Sequence, residues 1–128
     1  MKHLAALALL ALASVGCAPT LRGSWEASGH LGVADPFDLD LKFDQDNKGF
    51  AIYGTDKGTE RQVPVCETSL VEGRVKFVID AGGKTTCATL EKPLTFTGAL
   101  GQDVMTGDIQ NAPGEKVGIW RAYRRVQK

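Results

Sequence analysis

The chain has no net charge and few of the residues that usually carry catalysis. Its 128 residues include 15 basic and 15 acidic side chains but only two histidines. A nucleic-acid-binding protein normally shows a basic excess, so this balance argues against nucleic acid as a partner. The motifs G-x-S-x-G, H-E-x-x-H and C-x-x-C are absent, so no nucleophile elbow, helical zinc pair or dithiol motif is offered. We expect a protein that is not an enzyme and uses no metal or cofactor.

Apolar runs long enough to span a bilayer are also missing. The longest run, residues 4–15, follows Lys2 and ends in small residues. As a helix it would measure about 18 Å, against about 30 Å of hydrocarbon in a bilayer. A basic start, an apolar middle and a small-residue end are typical of a secretory signal. The alternative is a buried core helix, which the absence of any polar stripe disfavours.

Residues 14–17 read S-V-G-C. This sequence resembles the lipobox of bacterial lipoproteins, in which small residues precede a cysteine that carries diacylglycerol. The resemblance implies a signal peptide over residues 1–16 and a lipid anchor at Cys17. A short tether over residues 17–22 would then lead into a folded domain over residues 23–126.

The same resemblance implies a location in the bacterial cell envelope, anchored to a membrane. Ala18, directly after the cysteine, favours the periplasmic side of the outer membrane. The alternative is cleavage after Ala13, because residues 11–13 read A-L-A, which fits the rule for ordinary secretion. That cut would release a soluble, secreted protein.

The rest of the chain alternates between apolar and polar residues. Phe37, Leu39, Leu41 and Phe43 alternate with charged residues, and this period of two predicts a half-buried strand. Glycine, proline, asparagine and aspartate mark turns between such segments. We expect an all-β fold, an antiparallel up-and-down barrel or sandwich of eight or nine strands. The predicted strands are residues 23–33, 37–43, 49–54, 61–66, 74–80, 85–90, 94–100, 104–110 and 117–124.

The five phenylalanines fall within these predicted strands. An eight-stranded barrel is just wide enough for side chains to fill it. We therefore expect the phenylalanines to form a core. A cavity for a small apolar ligand is the alternative.

The first and last predicted strands share the sequence G-x-W-x-A. A Gly-x-Trp on the first strand, with an arginine from the last strand packed over the indole, resembles lipocalins and related calycin barrels. Gly23, Trp25 and either Arg121 or Arg124 match that pattern. The resemblance implies a cation–π contact that helps to close the barrel, of about 0.5–2 kcal/mol.

Trp120 belongs to a second group of motifs. Residues 96–100 (F-T-G-A-L), 105–107 (M-T-G) and 118–120 (G-I-W) resemble small bacterial envelope domains that have no shared activity. Because the first and last strands of a closed barrel pair, we expect Trp25 and Trp120 to approach each other on one face. Glu26 and Arg121 would share the other face. A structural role for both tryptophans is expected, with ligand binding by Trp25, Trp120 and Arg121 as the alternative.

Three cysteines in an exported protein leave one unpaired. If Cys17 is lipidated, Cys66 and Cys87 remain as a pair, which we expect to form a disulfide. Strands two apart are about 9.6 Å from each other, whereas a disulfide needs Cα atoms within about 7 Å. One cysteine should therefore lie off the ladder, and Pro64 points to Cys66 because proline cannot donate to a ladder. A free reactive thiol is the alternative.

Charged residues cluster in two places. Asp38, Asp40, Asp44 and Asp46 form an acidic patch, and the turn at residues 44–49 resembles the start of a calcium loop. Lys48 at its fifth position and Thr55 at its twelfth do not fit that loop, so a solvated hairpin turn is expected. The basic residues of the C-terminal tail are Arg121, Arg124, Arg125 and Lys128, which we expect to be solvated, with anionic lipid or peptidoglycan as the alternative contact.

Taken together, these patterns favour a non-enzymatic envelope lipoprotein that acts as a binding or structural module. A calycin-like carrier of a small apolar ligand is one alternative. A protein inhibitor of envelope hydrolases is another, and it would need a protruding loop, for which residues 67–73 and 110–115 are candidates. His30 is expected to be an ordinary surface residue.

Overall fold

A computed structural model of the chain describes residues 19–33, 35–53 and 61–126. The predicted signal peptide and Cys17 lie outside these residues. Within the described ranges, no helix is long and apolar enough to cross a membrane. The strands are β1 (Gly23–Leu31), β2 (Asp35–Phe43), β3 (Gly49–Tyr53), β4 (Arg61–Val71), β5 (Arg74–Asp80), β6 (Pro93–Leu100), β7 (Val104–Gln110) and β8 (Lys116–Arg124).

The eight strands form a closed antiparallel barrel in chain order, with β1 paired to β8. The prediction of an all-β up-and-down barrel is confirmed, and the sandwich alternative is excluded. At the seam, Ala27 lies opposite Ala122. Both side chains are buried, so the closing strands approach each other across two small residues.

One predicted strand, residues 85–90, is wrong. These residues belong to an exposed connection, residues 81–92, that joins β5 to β6. The segment is rich in threonine, which suits strands, but it has no alternating apolar face to bury. By contrast, β4 is longer than predicted because a register shift between Cys66 and Ser69 lets the strand continue. Glu67 adopts a φ of 52° at that bulge, the left-handed conformation that one class of β-bulge uses.

Apolar side chains fill the interior of the barrel. The rings of Phe77 and Phe96 are stacked, with centroids 5.1 Å apart, and Trp120 meets both edge-on at 5.4 and 5.6 Å. Phe43, which lies opposite the first residue of β1, extends this aromatic cluster through an edge-on contact with Phe77 at 5.8 Å. Phe37, Phe43, Phe77 and Phe96 therefore pack in or against the core as expected, and Trp120 contributes to it. Phe50 does not, because it pairs with the exposed Lys42 on the outer face of the barrel. The largest fully buried side chains are Trp25, Phe77, Leu21, Leu41, Met105, Ile109, Val63 and Val75.

The two ends of the barrel differ. At one end, which we call the closed end, short turns join the strands and the segment of residues 19–22 packs against the barrel, with Leu21 completely buried in the core. At the other, which we call the loop end, strands are joined by the connections from β1 to β2, β3 to β4, β5 to β6 and β7 to β8. The connection 81–92 lies at the loop end, opposite the N-terminal segment.

Candidate functional site

The closed end is held by Trp25 and Arg124. Trp25 is fully buried and its indole Nε1 donates to the carbonyl of Leu21 at 2.9 Å. The Cζ atom of Arg124 lies 4.2 Å from the centroid of the Trp25 ring. Of the two arginines that the calycin resemblance allowed, Arg124 is the one over the indole. The contact is therefore part of the barrel's structure.

The side chain of Arg124 also donates hydrogen bonds to three backbone carbonyl groups. Its Nη1 and Nη2 donate to the carbonyls of Arg22 and Thr20 at 2.5 and 2.6 Å, and its Nε donates to the carbonyl of Gln102 at 2.8 Å. Gly23 makes room for this fork, because a Cβ atom there would lie 3.1 Å from Nη1. Its φ of 125° is also one that residues with a side chain rarely adopt. Both residues of the Gly-x-Trp motif therefore contact Arg124: Gly23 leaves space for its guanidinium group, and Trp25 packs beneath it.

Trp120 has a different neighbourhood from Trp25. In the register of the seam, Trp120 lies opposite Gly29 and Trp25 lies opposite Arg124, so the tryptophans are separated along β1. The expectation that the two rings approach each other is wrong, because the strands of a barrel are staggered where they close. Glu26 and Arg121 are both exposed on the outer face, as predicted.

The second group of motifs meets around Trp120. Gly98 pairs with Gly107, which pairs with Trp120, and Trp120 Nε1 donates to the carbonyl of Thr97 at 3.1 Å. The indole therefore reaches across β7 to β6. A Cβ atom on Gly107 would lie 1.7 Å from that same carbonyl oxygen. The glycines are present because the wall of the barrel has no space for side chains there.

Cys66 and Cys87 form a disulfide with a Cα–Cα distance of 5.8 Å. The prediction that one cysteine lies off the ladder is confirmed, but the choice of Cys66 is wrong. Cys66 pairs with Val78 in the sheet, whereas Cys87 lies in the connection 81–92. The expectation drawn from Pro64 fails because Pro64 lies in β4 with a register partner in β3, Phe50, and none in β5. Its missing N–H therefore removes no bond from the β4–β5 ladder.

Asp80, at the end of β5, organises the same connection. Its carboxylate accepts hydrogen bonds from the backbone N–H groups of Lys84, Glu91 and Lys92, at 3.0, 3.1 and 2.6 Å. Burial raises the pKa of this carboxyl, but the loop's N–H donors, with Lys92 and Lys84 foremost, hold the pKa below its ordinary value. The sequence reasoning missed Asp80. Its signal was an aspartate directly before A-G-G, a pattern typical of turns organised by a side chain.

The connection 81–92 is therefore exposed but constrained at several points. The disulfide fixes its middle to β4, and Asp80 fixes both of its ends. Lys84 and Glu91 face each other across its base, 4.0 Å apart. The loops proposed from the sequence are smaller features, since residues 67–71 belong to β4 and Gln110 ends β7. The exposed, constrained connection thus includes residues 85–90, which the sequence predicts as a strand.

A shallow cleft of about 680 Å³ lies at the loop end beside the β1–β8 seam. Leu31, Leu94 and Val117 give it a mostly apolar lining, and Asp35 and Lys116 also border it. His30, another lining residue, donates from Nδ1 to the carbonyl of Gly32 at 2.8 Å. This histidine is exposed, as predicted, and its hydrogen bond fixes the turn after β1.

Two of the basic residues of the tail have structural partners. Arg125 forms ion pairs with Glu26 and Asp40, both at 2.9 Å, on the outer face of the barrel. Arg124 is held at the closed end, and Lys128 lies outside the described residues. The acidic patch and the basic tail thus partly neutralise each other. Arg121 is exposed in β8 and donates to the hydroxyl of Tyr123 at 3.3 Å.

The turn between β2 and β3 is a hairpin turn organised by Asp44. The Oδ1 atom of Asp44 accepts from the N–H groups of Asp46 and Lys48, at 2.8 and 3.0 Å. Asn47 supplies the positive φ of 60° that the turn requires. Across the three described ranges, no cluster of three or more histidine, cysteine, aspartate or glutamate side chains is arranged to hold a metal ion.

The fold and the closed end define a small antiparallel β-barrel, consistent with a calycin-like barrel. No protein-family profile, curated protein or solved structure matches this chain. Its function must therefore be argued from its own residues.

Proposed function

We propose that the chain is a non-enzymatic lipoprotein of a bacterial envelope, anchored through Cys17 and acting as a binding module. The observation that carries this proposal is the placement of the N-terminal segment at the closed end, opposite the connection 81–92. Pro19 is two residues from Cys17, which corresponds to about 7 Å of extended chain. An anchor there would hold the closed end against the membrane and direct the loop end away from it.

The constrained connection suits a binding role. A loop that is already ordered loses little conformational entropy when it meets a partner, so more of the contact energy appears as affinity. Its exposed residues include Thr85, Thr86 and Thr89, which offer hydroxyls without large apolar groups. An exposed segment that is constrained in this way suits contact with another protein. We propose inhibition of an envelope hydrolase as the form that this binding takes.

The anchor is tested by the intact mass of the protein and of the Cys17→Ser variant, both isolated from a bacterial membrane fraction. The wild-type protein should carry the added mass of acyl chains, and the variant should lack it. Equal masses apart from the substituted residue would refute lipidation. Cleavage after residue 13 would be recognised by a mature chain that begins at Ser14.

The binding face is tested with a photo-reactive amino acid incorporated at two exposed positions, Thr86 at the loop end and Gln45 at the closed end, which leaves the disulfide undisturbed. In whole envelopes, adducts to a specific protein should form from position 86 and not from position 45. Adducts from position 45 alone would contradict the orientation. If the adduct is a hydrolase, its activity should fall when the purified barrel is added.

A carrier of a small apolar ligand is the second candidate, favoured by the apolar cleft at the loop end. Native mass spectrometry of the purified protein should then show a co-purifying small molecule. Leu94→Gln, which places a polar group in the cleft lining, should reduce its occupancy. Protein that is free of ligand and has no affinity for fatty acids would remove this candidate while leaving the anchor proposal intact.

A further inference from the structure

The outer wall of β4–β7 carries a groove that the proposed function does not use. It has a volume of about 400 Å³ and lies over the paired glycines Gly98 and Gly107. On the inner face of this wall, Trp120 donates a hydrogen bond to the carbonyl of Thr97. A side chain at Gly98 or Gly107 would clash with backbone atoms there. The groove therefore lies on the outer face of the same part of the wall whose inner face carries the hydrogen bond between Trp120 and Thr97.

Side chains on the outer face of this wall lie in two rows across the strands. One row runs Ser69, Lys76, Thr97 and Asp108, and the other runs Val71, Arg74, Ala99, Thr106 and Arg121. In the second row, Arg74 and Arg121 stand on either side of Ala99 and Thr106. At about 4.8 Å per strand, their backbones are about 14 Å apart. A floor of small residues is thus bordered by cations.

The positive charges of this groove are not balanced by carboxylates. In the part of the chain that the structure describes, Arg74, Lys76 and Arg121 have no carboxylate within ion-pair distance. Asp108, the acidic residue of the lining, is already paired with Lys116 at 3.3 Å. The groove therefore attracts anions. An arginine fork suits carboxylate and phosphate groups in particular.

The groove also offers many hydroxyl groups. Ser69, Thr97 and Thr106 line it, and each hydroxyl can both donate and accept a hydrogen bond. A ligand that is anionic and rich in hydroxyl groups matches both properties. An acidic peptide matches only the charge, and a neutral sugar matches only the hydroxyls.

From this match we infer that the outer groove of β4–β7 binds an acidic glycan, a sugar chain that carries carboxylate or phosphate groups. Arg74 and Lys76 contact the anionic groups, and the threonine hydroxyls contact the sugar. Ala99 lets the chain lie close to the sheet. The site is on the barrel wall, so it is compatible with the proposed anchor and with a partner at the loop end but depends on neither.

The inference is tested by fluorescence anisotropy with labelled oligogalacturonate, which carries a carboxylate on every sugar. Matched probes are a neutral malto-oligosaccharide and a poly-glutamate peptide of equal charge. The purified protein should bind oligogalacturonate best, and added salt should weaken the binding because exposed charges are screened. Equal affinity for poly-glutamate, or no binding of oligogalacturonate, would overturn the assignment to a glycan.

The variants locate the site. Arg74→Ala and Lys76→Ala should each weaken oligogalacturonate binding by about tenfold, the change expected for loss of one charge-assisted contact. Ala99→Glu should abolish it, since a negative charge would then occupy the floor. Lys42→Ala is the matched control, because Lys42 is an exposed cation on β2, outside the groove. This variant should bind oligogalacturonate as the wild type does. If Lys42→Ala weakens binding as much as Arg74→Ala, the groove is not the site. The melting temperature of each variant should match that of the wild type, and such a match would show that the variant's fold is intact.

Discussion

Arg124 of the last strand lies over Trp25 of the first, with its guanidinium carbon 4.2 Å from the ring centroid. The same side chain binds the carbonyls of Thr20 and Arg22. Closure of the barrel and attachment of the N-terminal segment therefore depend on one residue. Substitution of Arg124 should therefore disrupt the packing over Trp25 and the attachment of residues 20–22 together.

Arg124→Ala should lower the free energy of unfolding by about 2–3 kcal/mol, because a cation–π contact and charge-assisted hydrogen bonds are lost together. Arg124→Lys should recover only part of this loss, since an ammonium group cannot bind several carbonyls as a guanidinium does. Urea denaturation followed by tryptophan fluorescence measures both variants. Arg121→Ala, at an exposed position of the same strand, is the control and should change stability by less than about 0.5 kcal/mol. Equal effects at both positions would contradict the structural role of Arg124.

Gly107→Ala should destabilise the barrel strongly, by about 3 kcal/mol or more, because the new methyl group meets backbone atoms that cannot easily move. The nearest are the carbonyl oxygen of Thr97 at 1.7 Å and the Cα atom of Gly98 at 2.5 Å. Gly101→Ala is a control of the same chemistry, and its closest contact would be 3.3 Å. Thermal melts of the two variants should therefore differ widely. Similar melting temperatures would show that the wall at Gly107 can relax.

Asp80 predicts a specific dependence of stability on pH. Its folded-state pKa lies below the ordinary value of 3.8, so the unfolded chain binds the proton more readily. The stabilisation by Asp80 is then fully present above about pH 4 and is lost as the pH falls through the folded-state pKa. Asp80→Asn should be less stable than the wild type at pH 7, and the difference should shrink towards pH 2.

Urea midpoints measured between pH 2 and pH 7 provide the test for Asp80. Asp38→Asn is the control, because Asp38 is exposed on β2. It should follow the wild-type pH curve. A difference between Asp80→Asn and the wild type that stays constant down to pH 2 would show that the carboxylate's charge does not carry the effect.

Replacement of Cys66 and Cys87 by serine should cost about 3 kcal/mol, the value that the chain-entropy model gives for a loop of this length. It should also release the middle of the connection 81–92 while Asp80 still holds its ends. Lys84 is the trypsin site within that segment, since Lys92 precedes a proline. Limited proteolysis should therefore cut after Lys84 faster in the double variant than in the oxidised wild type. Equal rates would mean that Asp80 alone fixes the loop.

The period-two alternation predicted most of the barrel correctly, because burial of one face of each strand depends on local residue order. The disulfide pair followed from the number of cysteines. The choice between Arg121 and Arg124 could not be made, because it depends on the register at which β8 meets β1. Residues 85–90 do not form the predicted strand, because a disulfide and a buried carboxylate determine their path. The aspartate before A-G-G indicates a local turn, but it does not reveal the hydrogen bonds from the N–H groups of Glu91 and Lys92, which lie 11 and 12 residues further along the chain.

Closure of the sheet also affects how the protein behaves when many copies are crowded together. Since every strand has two neighbours, the barrel lacks the free edge on which a second chain could add a strand and begin aggregation. The weak point of this protection is β4, where residues 61–65 extend beyond their ladder with β5. Pro64 lies within that stretch and has no N–H to offer an incoming strand. Pro64 thus removes a backbone donor from a stretch of β4 that has no register partner in β5, so an incoming strand would find one hydrogen bond fewer there.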